Sequence, residues 1–242
     1  MEKVVVIVRT TDFDEQWCRR MRGPVASALL DLGLPGVVVN VRDEPVRDSL
    51  MTLTTLDPPG AAVISLWTQQ YYGTQIRSAI ELLAAEAHAV DAYLVTESSP
   101  MPPPDPGEGL RTPALANVAL LRRPAGMDQA TWLDRWHNNH TQVAIDTQAT
   151  FGYTQNVVVR ALTPDAPQID GIVEELFPDG AVSDLNVFYG ARDEADLQDR
   201  MTRMIESCVK FGAHENIDTV PTSRYLFRSP FSGNAVSLNE IG

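Results

Sequence analysis

The chain has 242 residues, of which 44% are hydrophobic and 21% are charged, a composition typical of a globular protein with a sizeable core. Its formal net charge of -13 gives no electrostatic basis for binding nucleic acid or an anionic membrane, so neither partner is expected. Two isolated cysteines without a CxxC pair argue against a disulfide framework or a thiolate metal site. No apolar run approaches the ~18 residues of a membrane span, so the expected location is the cytoplasm.

The first half of the chain predicts the order β-α-β-β-α-β, which is the split ferredoxin-like unit. Runs rich in β-branched residues predict its strands, and amphipathic stretches predict its helices. Asp12 or Asp14 is the expected cap of the first helix, Gly33 its expected end, and Pro24 a point of interruption. The predicted strands are 3–11, 36–43, 61–69 and 91–98, and the predicted helices are 12–33 and 74–90.

The second half repeats that order about 115 residues later, which indicates an internal repeat of elements. The predicted strands are 114–124, 152–162, 169–180 and 223–229, and the predicted helices are 126–149 and 193–212, the last closed by Gly212. A proline-rich segment separates the halves and is expected to be a semi-extended linker. The predicted divisions are an N-terminal unit 1–99, a linker 100–113, a C-terminal unit 114–229 and a tail 230–242.

Each predicted sheet carries helices on one face only, so its other face must be covered. The other copy is the simplest cover, because the strands KVVVIV and NVVV lack the alternation of a sheet wetted on one side. We therefore predict an α+β protein with two ferredoxin-like βαββαβ units in tandem, packed face to face as an intramolecular α/β barrel. A monomer with an internal pseudo-dimer and a homodimer are both compatible with this arrangement.

The segment TWLDRWHNNHTQ, 131–142, holds half of the four tryptophans and half of the four histidines. On a helix, Trp132, Trp136, His140 and Ala144 recur every four residues and lie along one inward face. His137 lies beside His140 at a spacing of three but turns toward a neighbouring face. This helix therefore presents aromatic and imidazole side chains to the interior.

Three interpretations of this face remain open. Its tryptophans and His140 could simply be core residues. Alternatively, His137 and His140 could bind a metal ion, although no spacing identifies the further ligands among Asp134, His88 and His214. A third interpretation is acid/base chemistry, since imidazole titrates near neutrality and aromatic walls suit a small, flat ligand.

Three runs of the second half resemble the EthD family of the dimeric α/β-barrel superfamily. They are LLRRPAGMDQATWLDRWHNNHTQVA, FGYTQNVVV and IDGIVEELF, and the resemblance covers about 112 to 228. The first half lacks this motif and is interpreted as a degenerate copy. The residues that carry the resemblance are Arg122, Pro124, Trp136, His140, Tyr153, Gln155, Asn156, Asp170 and Gly171.

The resemblance implies a ferredoxin-like fold paired into a barrel and a small aromatic or carbonyl ligand. Members include accessory proteins of oxidative degradation, and the wider superfamily includes cofactor-free monooxygenases and cyclases. An enzyme of this type would be an oxygenase, cyclase, dehydratase or decarboxylase that needs neither a cofactor nor a metal. Two non-catalytic roles remain open, namely a carrier or accessory protein of an oxidative or biosynthetic pathway, and a barrel that serves oligomerisation alone.

In an enzyme, His140 would be the general acid/base, with Tyr153 or Asn156 stabilising an oxyanion. Alternation places Tyr153 and Asn156 on opposite faces of their strand, and which face lines the cleft is open. This hypothesis requires that His140 face a hollow enclosed between the two sheets. The candidate substrate-binding residues are Trp132, Trp136, His137, Gln155 and Arg22.

Two further features receive a structural interpretation at this stage. Arg20 and Arg22 are expected to be solvated, although Arg22 could hold a carboxylate or enolate in a pseudo-symmetric pocket. Glu174 and Glu175 are adjacent acids on a predicted strand. They could act as a base, but they are expected to face water.

Overall fold

Eight strands form one closed antiparallel barrel in the computed structural model, which describes residues 1–231. Every predicted strand is present, but the last begins at Asp218, five residues earlier than predicted. The strands are β1 (Glu2–Arg9), β2 (Gly36–Val41), β3 (Gly60–Thr68), β4 (Ala89–Met101), β5 (Leu115–Leu121), β6 (Gly152–Ala161), β7 (Gly171–Phe177) and β8 (Asp218–Arg228).

The helices lie outside this barrel. They are α1 (Glu15–Arg20), α2 (Ala26–Asp31), α3 (Thr74–Ala84), α4 (Gln129–Asp134), α5 (Thr141–Thr147), α6 (Leu185–Tyr189) and α7 (Glu194–Phe211). The sequence did not predict α6. Asp14 is the cap that begins α1, and Gly212 ends α7 with a positive φ of 81°, as predicted. Within the described residues, no helix has both the length and the apolarity needed to cross a membrane.

The strand order around the barrel is β1-β3-β2-β8-β5-β7-β6-β4. Each half therefore contributes four consecutive positions, and in each half the fourth strand neighbours the first, the first the third, and the third the second. The two halves meet edge to edge through the hydrogen-bonded pairs β2–β8 and β4–β6. The mixed α and β composition is confirmed. Pairing of the edges explains why the halves share one barrel, since it leaves no sheet edge unpaired.

The barrel interior is apolar toward one end and charged toward the other. Two ion pairs lie at the charged end, with Lys3 3.0 Å from Glu97 and Arg224 3.0 Å from Glu174. Because side chains alternate along a strand, the neighbours of these residues in sequence face the helices instead. The apolar cluster consists of Val5, Ile7, Val63, Tyr93, Val95, Val118, Leu120, Ile169, Ile172 and Val220.

One long helix in each half contains a π-helical segment. Met21–Val25 joins α1 to α2 and includes Pro24, so the predicted interruption is a widened turn rather than a break. Arg135–His140 joins α4 to α5. Such segments are rare and are often found at functional sites, because they shift the side chains that follow around the helix.

The proline-rich segment between the halves is attached to the barrel. β4 continues to Met101, which pairs with Tyr153 on β6. Further along, the amide of Gly109 donates to Leu226 and that of Thr112 donates to Arg224. The predicted boundary at 99/100 thus falls inside β4, while the division into units remains a prediction. The predicted tail, 230–242, lies outside the described residues from 232 onward.

Candidate functional site

A cavity of about 290 Å³ lies between the outer face of β5, β7 and β6 and the helices that cover them. Exposed Leu53 and Ile205 mark its opening to solvent. The sequence placed the hollow between the two sheets, which is wrong, because a helix outside a closed barrel cannot face its interior. Strands and helices both contribute side chains to its lining. These include Asn117, Ala119, Leu121, Trp136, His140, Tyr153, Val173, Glu175, Cys208 and Phe211.

His140 lines this cavity and is 6% exposed. Its Nδ1 atom lies 2.9 Å from the hydroxyl of Ser207 on α7, and its ring centroid lies 4.4 Å from that of Phe211. Burial lowers the pKa of His140 to about 4, so the imidazole is neutral at neutral pH. Among the described residues Nε2 has no hydrogen-bond partner, which leaves this nitrogen for a ligand.

The two tryptophans of the helix have different positions. Trp136 lines the cavity, whereas Trp132 packs behind it with ring centroids 5.0 Å apart. Both rings pack against Gly171, where a Cβ atom would lie 2.7 Å from Trp136 and 3.1 Å from Trp132. Packing against the two tryptophans therefore requires glycine at position 171. Trp132 is a core residue, and its predicted contact with substrate is not supported by the geometry.

His137 does not reach the cavity. Its ring packs against Trp136 with centroids 4.8 Å apart, and partial burial lowers the pKa of its imidazole. The metal interpretation also lacks support, since no group of three or more His, Cys, Asp or Glu side chains in the described part of the chain could hold an ion.

Strand β6 separates three of the predicted site residues. Tyr153 and Gln155 face the helices, but Gln155 donates to the hydroxyl of Thr141 at 2.8 Å and does not line the cavity. Asn156 faces the barrel interior, where it donates to the carbonyl of Ile172 at 3.1 Å. Asn156 therefore cannot act together with His140, because the sheet lies between them.

Arg22 lies in the other half of the chain and does not line this cavity. It pairs with Asp43 at 3.0 Å and with Glu15, and its side chain is 23% exposed. The guanidinium is thus paired and partly solvated, and its geometry does not support the predicted substrate contact.

Glu175 is a candidate site residue, although the sequence favoured a position facing water for it. It is 7% exposed, lines the cavity, and its Oε1 atom has no hydrogen-bond partner in the described part of the chain. Desolvation raises the pKa of Glu175 to about 8. Across neighbouring strands it is paired in register with Tyr153 and with Asn117. The available signal was strand alternation, which places Glu175 on the same face as Val173.

Tyr153 stands beside this carboxyl and is 1% exposed. Burial raises the pKa of its phenol further above the ordinary value, so the hydroxyl stays protonated and can donate a hydrogen bond. The cavity thus brings together a neutral imidazole, a phenol and a carboxyl group within aromatic walls. Among the described residues that line it, none is lysine or arginine.

Residues 124–202 match the family model described as EthD domain. This matched segment lies in the C-terminal half of the chain and is similar to EthD domains. The match includes Trp136, His140, Tyr153 and Glu175. No curated protein matches the sequence.

The fold of nearly the whole chain, the matched segment and the first half together, is similar to that of a solved structure. An anthrone oxidase-like protein covers 96% of each chain at 10% identity, with a TM-score of 0.55. A candidate monooxygenase from Lactobacillus acidophilus NCFM covers 94% of this chain and 96% of its own at 8% identity, with a TM-score of 0.48. Another from Fusobacterium nucleatum covers 94% and 92% at 5% identity, with a TM-score of 0.47. At these identities the similarity concerns the fold.

Proposed function

We propose that the cavity binds a small aromatic or carbonyl compound and that His140 moves a proton on it without a cofactor. The observation that carries this proposal is the neutral imidazole of His140, held through Nδ1 by Ser207 and lining an aromatic-walled cavity. The cavity volume of about 290 Å³ lies just below the ~300–1,000 Å³ range of small-molecule sites. A small, flat ligand fits this size.

We also propose that the barrel arose from two ferredoxin-like units in tandem, of which the first has lost the site. The same strand order in both halves supports this reading, as do the π-helical segments at corresponding helices. In the first half the helix carries Arg22 and Pro24 where the second carries its histidine. In this proposal, only the second half keeps the buried carboxyl and imidazole groups of the site.

The chemistry begins with a proton on a carbon that is conjugated with a carbonyl group, either next to it or, as in anthrone, across the ring from it. His140 takes this proton through Nε2, and the phenol of Tyr153 donates a hydrogen bond to the oxygen on which negative charge develops. The resulting carbanion can react with O2, or lead to cyclisation, dehydration or decarboxylation. Anthrone is a suitable probe because a structural neighbour is described as anthrone oxidase-like. Its oxidation is balanced as anthrone plus O2 giving anthraquinone and water.

The test compares the wild-type chain with His140→Gln. Binding of anthrone is measured by quenching of tryptophan fluorescence, and turnover by O2 uptake and formation of anthraquinone. We expect His140→Gln to bind anthrone with little change and to lose about 100-fold or more in kcat/KM. A loss of less than about tenfold would remove His140 as the acid/base.

His88→Gln is the matched control, because His88 is exposed and lies in the other half of the chain. It should leave both measurements unchanged. Anthrone binding by the wild-type chain without any turnover would favour a carrier or accessory protein over an enzyme. A chain that neither binds nor oxidises anthrone or related ketones would contradict the proposal.

A further inference from the structure

Glu175 is a buried acid, and the structure does not explain why its carboxyl group is left unpaired. Buried carboxyl groups are normally paired or hydrogen bonded, because desolvating a charge is costly. Its neighbour Glu174 follows this rule by pairing with Arg224 inside the barrel. Within residues 1–231, Glu175 forms no ion pair, and its Oε1 atom has no hydrogen-bond partner.

Among the described residues that line the cavity with Glu175, none is lysine or arginine. Asn117 flanks it on β5 and Tyr153 on β6, each in register with it. Burial raises the pKa of the phenols and thiol around it and lowers that of His140. The titratable groups that share the cavity or act on this carboxyl are His140, Tyr153, Tyr189, Cys208 and His214.

We propose that Glu175 is a second catalytic residue, which delivers a proton to the ligand's carbonyl oxygen while His140 takes a proton from its carbon. This inference rests on the proposed function and specifies a step within it. The two groups line one cavity from opposite sides, with His140 on the helix and Glu175 on β7. A ketone placed between them meets a base on one side and an acid on the other.

The step is an enolisation and is balanced without a co-reactant. The C–H bond breaks and its proton goes to Nε2 of His140, while its electron pair forms a new carbon–carbon double bond. In anthrone, whose acidic C–H lies across the central ring from the carbonyl group, the electrons shift through that ring, which becomes aromatic. The π electrons of the carbonyl group take the proton of Glu175. The product is the enol, an isomer of the ketone, and the proton returns from His140 to Glu175 through solvent when the product leaves.

Protonation of Glu175 at neutral pH is consistent with its burial, since its pKa is raised to about 8. Such a carboxyl resembles other enzymatic acids that are kept neutral by apolar surroundings so that they can donate a proton. Enolisation should therefore slow as pH rises above about 8 and the carboxyl ionises. A protein in which His140 acts alone would show no such alkaline decrease.

The experiment measures exchange of the acidic C–H hydrogens of anthrone for deuterium in D2O under nitrogen, which excludes oxidation. For Glu175→Gln we expect unchanged anthrone binding, an exchange rate lowered on the order of 100-fold, and no alkaline decrease. Glu206→Gln is the control, because Glu206 is exposed on α7. Glu175→Asp keeps a carboxyl group and should retain the alkaline decrease, which provides a second variant if the first does not fold.

The outcomes separate the two proposals. Anthrone binding with an exchange rate and pH profile that are the same in Glu175→Gln and the wild type would overturn the role of Glu175 alone. The same holds if Glu175→Asp shows a flat alkaline profile. Failure of the wild-type chain to bind anthrone or to exchange its hydrogens would overturn the proposed function, and this inference with it.

Discussion

The Nδ1 atom of His140 lies 2.9 Å from the hydroxyl oxygen of Ser207, and both side chains are buried. His140 belongs to the π-helical segment and Ser207 to α7, so the contact links the two helices that cover the cavity. In a neutral histidine, the hydrogen bond at one ring nitrogen determines whether the other nitrogen carries the proton. Ser207 is therefore positioned to set the protonation of Nε2, the atom to which we assign the proton transfer.

Replacement of Ser207 by alanine should lower kcat for anthrone by about tenfold, because the ring loses the partner that fixes its orientation. Binding of anthrone, measured by fluorescence, should change little. In a His140→Gln background the same replacement should have no further effect on kcat. Ser78→Ala on α3 provides the control, and an equal loss of activity in both backgrounds would contradict a positioning role.

Glu175 should make stability depend on pH. Its pKa is raised from 4.5 to about 8, so between these values the folded chain keeps a proton that the unfolded chain releases. The free energy of unfolding contributed by Glu175 is therefore present below about pH 4.5 and is lost as pH rises to about 8. Because each pKa unit corresponds to about 1.4 kcal/mol, the loss should amount to a few kcal/mol.

Urea denaturation at several pH values tests this dependence. The difference in unfolding free energy between the wild type and Glu175→Gln should decrease steadily from pH 4.5 to 8. A difference that stays constant with pH would show that Glu175 ionises normally in the folded chain.

Gly171 should not tolerate a side chain. A Cβ atom there would lie 2.7 Å from the Trp136 ring, and this ring is fully buried. Gly171→Ala should destabilise the protein by about 1–3 kcal/mol through overpacking. Gly126→Ala is the control, because no atom lies within 4 Å of a Cβ at that position. Equal midpoints of thermal unfolding for the two variants would contradict the packing requirement.

The charged end of the barrel should depend on both members of its ion pairs. Arg224→Met would leave Glu174 as a buried charge beside Asn40, and we expect a loss of about 3–5 kcal/mol in unfolding free energy. Arg203→Met removes an exposed arginine and should change stability by no more than about 0.5 kcal/mol. The double replacement Arg224→Met with Glu174→Gln should recover part of the loss, and its failure to do so would argue against the ion pair as the cause.

The sequence by itself determined the order of strands and helices and the inward face of the helix with the two tryptophans. Trp132, Trp136 and His140 repeat every four residues, and this local spacing is independent of the rest of the fold. Their burial at 1%, 0% and 6% exposure agrees with that prediction. Capping residues such as Asp14 are equally local, because they bond to backbone within the next turn.

Only the tertiary structure decided on which side of the sheet the cavity lies and which acid lines it. Adjacent acids on a strand were expected to face water, but β7 lies between β5 and β6, with the barrel interior on one side and helices on the other. Glu174 therefore meets Arg224, and Glu175 meets the cavity. These environments are created by strands and helices far away in sequence, and desolvation by them sets the charge of each carboxyl group.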